Sequence, residues 1–264
     1  MKVATIGHAV CDENGRASGG KPGDQTGKEV RIAKWYCYND SPWIAVFRAK
    51  STSVRKKLAK AMVAACNNDN IGYNQAKRTT LYNLAKANGW QLDKVGLCET
   101  DCSALVAVCV NAAGITVSKD MYTGNELDVL KATSQFKIYT SDEYCKSQKK
   151  LKKGDILLKK GHTAMVVKVE DVYKDVVATK YPAKKDEKLA GIYKVTADAL
   201  NMRNGAGASN SVMTVVYKDQ ELTCDGSYSE SNGTKWMYVS FITGNDDVRY
   251  TGFCSSKYLK LIQQ

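Results

Sequence analysis

Only two histidines, three prolines and four phenylalanines occur in the 264 residues. Nine cysteines are present, at positions 11, 37, 66, 98, 102, 109, 145, 224 and 254, but none form a Cys-x-x-Cys pair. Without ligand pairs at short spacing, no structural zinc site is expected, and no metal or other cofactor. The odd cysteine count in a chain of this size argues against a disulfide framework. No segment approaches the roughly 18 unbroken apolar residues of a membrane span, so no membrane insertion is expected. The opening MKVATIGHAV has one Lys and no apolar block and does not read as a secretory signal. With 44% hydrophobic and 25% charged residues, the composition excludes a disordered chain, a collagen and a coiled coil. The length allows one large domain or two modest ones.

What is abundant is positive charge, and it is unevenly spread. The net charge is +12, yet residues 195–264 hold six basic and seven acidic residues, so the excess lies wholly in residues 1–194. A basic half and a neutral half imply two units with different tasks. A summed positive field attracts polyanions, whether nucleic acid, an anionic cell wall or a membrane surface. No nucleic-acid motif is present, and a nucleic-acid partner is not expected.

Residues 13–28 (ENGRASGGKPGDQTGK) read as a long loop. Val54, Leu58, Met62 and Ala65 recur at helical spacing among lysines, predicting an amphipathic helix to Cys66. Residues 67–72 read as a loop. A second helix over Lys77–Asn88 ends at Gly89. Cys102–Ala113 is almost wholly apolar between Asp101, a good N-cap, and Gly114, a good C-terminal stop, predicting a buried helix. Another short helix is expected over Asn125–Ser134. From Gly154, GDILLKKGHTAMVVKV predicts two strands joined at Lys159–Gly161, with DVVAT as a third. Helices followed by strands indicate an α+β fold. Residues 181–192 (YPAKKDEKLAGI) read as a linker, and the short β runs beyond it as a small barrel.

Cys102 carries the sharpest chemical signal. A thiol in the first turn of a buried helix meets unpaired N–H groups and the positive end of the helix dipole, which favours the thiolate nucleophile. Its bland alternative is a small core residue, and Cys109 in the same helix supplies that case. A nucleophilic Cys needs a base. His162 follows Gly161 at the start of a predicted strand, where an imidazole can project into a cleft. His8, in a Gly-flanked segment read as loop, is the second candidate.

The segment ETDCSALVAVCVNAAG resembles the Asp-Cys-Ser-Gly/Ala-Leu-Val signature of NlpC-type cell-wall cysteine peptidases, and GDILLKKGHTAMVV resembles their Gly-Asp and Gly-His strand signature. IGYNQ resembles the Tyr-bearing segment before the Cys, although about 29 residues separate Tyr73 from Cys102. Residues 195–262 resemble a bacterial SH3-like wall-binding domain. The order of these parts is that of phage and bacterial lytic enzymes, and GHAVCDENGRASGGKPGDQTGKEV resembles the opening of prophage-type lysins.

The resemblance implies a papain-like catalytic domain over 1–180, a linker over 181–192 and an SH3-like barrel over 193–264. It makes Cys102 the nucleophile and His162 the general base. The Cys102 backbone N–H, with the Tyr73 hydroxyl, would bind the oxyanion, and Asp101 and Ser103 would bind substrate. The family's third polar residue, which orients the His, has no obvious counterpart; Glu170 is chosen over Asp171 and Asp175. In the tail, Tyr217, Tyr228, Trp236, Tyr238 and Tyr250 are candidate wall contacts or barrel core. The activity implied is peptidoglycan hydrolysis at a stem-peptide amide: a D-glutamyl–diamino acid endopeptidase, or an N-acetylmuramoyl-L-alanine amidase using the same pair. A non-catalytic wall binder is the alternative of another class. The implied partner is Gram-positive peptidoglycan, reached from the host cytoplasm at lysis with the help of a holin.

Overall fold

Asp101 begins the most apolar segment of the chain, and that segment is a helix. The Asp101 side chain accepts from the Ala104 backbone N–H at 2.7 Å, satisfying one of the free amides of the first turn. Every residue from Cys102 to Asn111 is buried, so the helix runs through the interior. Gly114, at φ +91°, ends it.

This helix belongs to the first of two compact units, residues 2–171 and 172–264, in a computed structural model that describes residues 2–244 and 247–264. The first unit contains strands β1 (Lys2–Ala9), β2 (Val30–Lys34) and β3 (Ala45–Ala49), helix α1 (Thr52–Cys66), β4 (Ile71–Tyr73), α2 (Thr80–Ala87), β5 (Cys98–Thr100) and α3 (Cys102–Ala112). It continues with α4 (Glu126–Ala132), β6 (Phe136–Tyr139), α5 (Asp142–Cys145), β7 (Ile156–Lys159) and β8 (His162–Asp171). Six of these strands form one antiparallel sheet in the order β2-β1-β8-β7-β3-β6, and β4 and β5 form a separate parallel pair. The fold is mixed α+β, as expected.

The predicted helices are present with small shifts at their ends. The strand pair from Gly154 is also present: β7 and β8 are joined through Lys160–Gly161, with Lys159 opposite His162 and Gly161 at φ +74°, a conformation glycine adopts freely. The strands at the amino-terminal end were not anticipated. β1 is buried on both faces, so it lacks the in–out alternation that marks a half-exposed strand. It sits between β2 and β8, one strand in from the edge of the sheet. Gly7 makes that possible, because a Cβ there would strike the Met62 side chain on α1.

α1 buries Leu58, Ala59, Met62 and Ala65, and full burial of Leu58 or Met62 contributes about 1.5–3 kcal/mol each. Arg48 on β3 clasps Asp155 with two bonds of 2.6 and 2.8 Å, both groups buried. Its guanidinium also lies 5.1 Å from the centre of the Tyr139 ring. This pins β3 to the segment that opens β7.

Among the described residues, the regular structure of the second unit is strand apart from one short 3₁₀ turn: β9 (Lys174–Val177), β10 (Lys184–Val195), β11 (Ala199–Arg203), β12 (Val212–Tyr217), β13 (Glu221–Ser231), β14 (Thr234–Ile242), β15 (Val248–Ser255) and β16 (Leu259–Gln263). Their order is β12-β11-β15-β14-β13-β10-β16, with β9 parallel to β15. The segment expected as a linker is therefore largely strand β10, which pairs with β13 and β16. The unit boundary lies at 171/172 rather than after 180, because β9 joins the second unit's sheet. Charged residues hid β10: its first half is exposed and polar and its second half is covered.

Candidate active site

The start of α3 meets the start of β8. Cys102 is the first residue of α3, and the backbone amide of Thr163, the residue after His162, faces its sulfur together with the amide of Ser103; both favour the thiolate. Burial acts the other way and is larger. It pushes the Cys102 thiol up to about 11, with help from the neighbouring Asp101 and Glu126 carboxyls. The expectation that the helix terminus lowers this thiol is corrected: at a site this enclosed, removal of water outweighs the dipole.

His162 is held by the other histidine. The Nε2 atom of His162 lies 3.0 Å from Nδ1 of His8. Burial brings His162 down to about 4, with Lys159 adding repulsion. It brings His8 down to about 3, with His162, Arg31 and Lys159 adding to the effect. Both imidazoles are thus neutral at pH 7. His8 is only 3% exposed, and it reaches His162 because β1 runs antiparallel beside β8. His8 was the second candidate base, but its pairing with His162 was not legible in the sequence, since 154 residues separate the two. A polar residue in a run with buried flanks was the only available signal.

Glu170 is not part of this cluster. It lies eight residues along β8, opposite Val3, and its exposed carboxylate pairs with Lys168 at 2.7 Å. At about 3.3 Å per residue, that places it about 26 Å from His162.

Tyr73 and Tyr36 stand near the sulfur. Burial above all, then Tyr38 for Tyr36 and the Cys102 thiolate for both, push the two phenols up to about 12, so both keep their protons. Tyr73 Oη accepts from Gln75 Nε2 at 3.3 Å, which leaves its own hydrogen available to donate. Tyr36 was missed by sequence reasoning, as was the aromatic wall to which it belongs. Tyr36, Tyr38 and Trp43 all lie within 6 Å of Lys159 Nζ, and the Trp43 ring is 6.3 Å from that of His162.

Asp101 and Ser103 are held by an arginine. Arg78 Nε lies 2.6 Å from Asp101 Oδ2, and Arg78 Nη2 donates to Asp101 Oδ1 at 3.2 Å, so the ion pair carries a hydrogen bond. Arg78 Nη2 also donates to Ser103 Oγ at 2.8 Å and to the Met121 carbonyl. Ser103 Oγ in turn donates to Asp101 Oδ1 at 3.0 Å. Asp101 thus serves as helix cap and as counter-ion to Arg78.

In the second unit, Trp236 is buried against Phe253 and Ala178, as core. Tyr217 is exposed, and Tyr228, Tyr238 and Tyr250 are partly covered. Trp236 also borders a cavity of about 470 Å³ with Arg203, Lys257 and Tyr258.

α3, β8 and β1 thus gather a buried thiol at a helix start and a neutral histidine pair one residue from the strand amide that faces it. Against known proteins, the model of the endolysin-like domain matches residues 6–173, so the chain belongs to the endolysin-like domain family. That membership places it among cell-wall lytic proteins, with peptidoglycan as the implied substrate. No curated protein and no solved structure matches the chain. Among the described residues no helix is long and apolar enough to cross a membrane.

Proposed function

We propose that residues 2–171 form a papain-like cysteine peptidase of the NlpC type that hydrolyses a stem-peptide amide of peptidoglycan, and that residues 172–264 form an SH3-like wall-binding unit. The observation that carries this reading is the hydrogen-bonded His8–His162 pair placed where β8 meets the start of α3. A neutral His pair next to the strand amide that faces a buried thiol has no evident use in packing a core.

The chemistry follows from the protonation states. His162 Nε2 is engaged by His8, which leaves Nδ1 for the thiol proton. Nε2 then carries a hydrogen and donates to His8 Nδ1. The resting pair is neutral thiol and neutral imidazole. As the sulfur attacks the amide carbon, its proton passes to His162, and the imidazolium is stabilised by His8. The oxyanion meets the Cys102 backbone N–H at the positive end of α3, and the Tyr73 hydroxyl. Collapse of the tetrahedral intermediate breaks the C–N bond. His162 returns the proton to the leaving amine, and a thioester remains on Cys102. Water, deprotonated by His162, then releases the new carboxylate.

The bond we favour lies between D-glutamyl and the diamino acid. Mass spectrometry of products from purified Gram-positive walls tests this. New amino groups on the diamino acid identify the endopeptidase, and free L-Ala amino termini identify the amidase. Full clearing of wall suspensions by Cys102→Ala refutes both and leaves a wall binder.

A further inference from the structure

Glu126, the first residue of α4, is fully buried. Its Oε1 lies 2.8 Å from Thr163 Oγ1, and its Oε2 has no hydrogen-bond partner. Thr163 Oγ1 also lies 3.0 Å from the Leu157 carbonyl oxygen. The hydroxyl has one hydrogen, and a carbonyl can only accept. If the Thr163 hydrogen goes to Leu157, the contact with Glu126 is a hydrogen bond only when Glu126 supplies the proton. Thr163 itself is fully buried, and its backbone amide faces the Cys102 sulfur. The carboxyl, the threonine and the nucleophile therefore form one chain of contacts.

We propose that Glu126 is a positioning residue of the Cys102–His162 site: a neutral carboxylic acid that donates to Thr163 Oγ1 and so holds the Thr163 amide against the nucleophilic sulfur. This rests on the catalytic reading given above. An ionised Glu126 would lose its donor function, leave a bare charge in an apolar interior and oppose the thiolate. The surroundings keep it neutral. Burial, with a smaller contribution from Asp101, holds Glu126 up to about 8, against a donated Thr163 hydroxyl that would favour the ionised form. Asp101, on the α3 side, has Arg78 as counter-ion, and Cys102 is a neutral thiol. His162 on β8 is a neutral imidazole. β7 contributes the Leu157 carbonyl, while Asp128 and Lys131, on α4 itself, are exposed.

The test is the pH profile of kcat/KM on a soluble stem-peptide fragment, for the full chain and its Glu126 variants. In the wild-type protein, activity is expected to fall on the alkaline side with a midpoint near 8, well below the thiol. Glu126→Ala leaves buried partners unpaired and is expected to lower kcat by about 10- to 100-fold. Glu126→Gln, whose amide can donate to Thr163 Oγ1, should recover most of that loss and move the alkaline limb upward by about one pH unit or more. An alkaline limb unmoved in Glu126→Gln overturns the proposal.

A second measurement does not depend on activity or on a variant that folds. Infrared spectra of the wild-type protein should show the carbonyl band of a protonated carboxyl at pH 6, lost as the pH rises through about 8. Absence of that band also overturns the proposal. Retained activity in Cys102→Ala would instead remove the catalytic reading, whatever the infrared band shows.

Discussion

His8 Nδ1 and His162 Nε2 lie 3.0 Å apart across the β1–β8 pairing, and these are the only two histidines in the chain. Both histidines are thus spent on a single contact. The contact engages one nitrogen of each imidazole, and burial keeps both rings neutral.

In the proposed mechanism, the contact makes His8 a positioning residue. His162→Ala should lower kcat by about 10²–10⁴. His8→Ala should cost less, about 10- to 100-fold, because the base is still present but free to turn. His8→Asn, which keeps a side-chain acceptor for His162 Nε2–H, should recover part of the loss. Equal rates for His8→Ala and wild type on a soluble stem-peptide fragment would remove His8 from the mechanism.

Stability should peak near pH 6.5. His8 and His162 are depressed from 6.5 in the folded protein, so each contributes stability that is lost as the pH falls below 6.5. Glu126 is raised from 4.5 to about 8, so its contribution is lost as the pH rises between those values. From pH 4.5 to 6.5 the unfolded chain binds two protons more at the histidines and one fewer at Glu126. From these three groups, stability rises with pH by about 1.4 kcal/mol per unit in that window. Above 6.5 only Glu126 acts, and stability falls by a similar slope until about pH 8. Denaturant titrations across pH 5–8 measure this, and Glu126→Gln should flatten the alkaline fall.

Arg78 holds Asp101 and Ser103, so its removal should destabilise residues 2–171 before it touches chemistry. Arg78→Met strands a buried carboxylate. Breaking a buried pair costs about 3–5 kcal/mol, and about 2–3 kcal/mol is expected here because a fifth of the Arg78 side chain remains in water. The thermal transition should fall by about 2–4 °C for each kcal/mol. An unchanged Tm would show that Asp101 needs no counter-ion.

Lysis of walls should slow as salt rises. The +12 charge, concentrated in residues 1–194, attracts an anionic polymer surface through a field that salt screens over about 10 Å at 0.1 M. Turbidity clearing at increasing ionic strength measures the effect. Cleavage of a small soluble fragment should change much less, and equal salt dependence of the two would place the effect at the active site.

Local signals were sufficient where the chemistry is local. The apolar run from Cys102, capped by Asp101 and stopped by Gly114, specifies a buried helix with a thiol at its start, because capping and burial act within a few residues. The Gly161–His162 turn likewise specifies an imidazole at a strand start. The tail's strands were legible from their β-rich runs and turn residues, though the polar half of β10 disguised that strand as linker.

The tertiary structure decided the rest. Glu170 was attractive because it is near His162 in sequence, but an extended strand carries it away to solvent. His8 is remote in sequence and adjacent in space, because sheet pairing ignores sequence distance. Tyr36 and Glu126 come within electrostatic range of the sulfur in the same way, from separate segments. The state of the thiol was also out of reach of the sequence. A helix start can be read from residue order, and its dipole inferred, but the water excluded from Cys102 depends on everything packed around it. That exclusion sets the direction of its pKa.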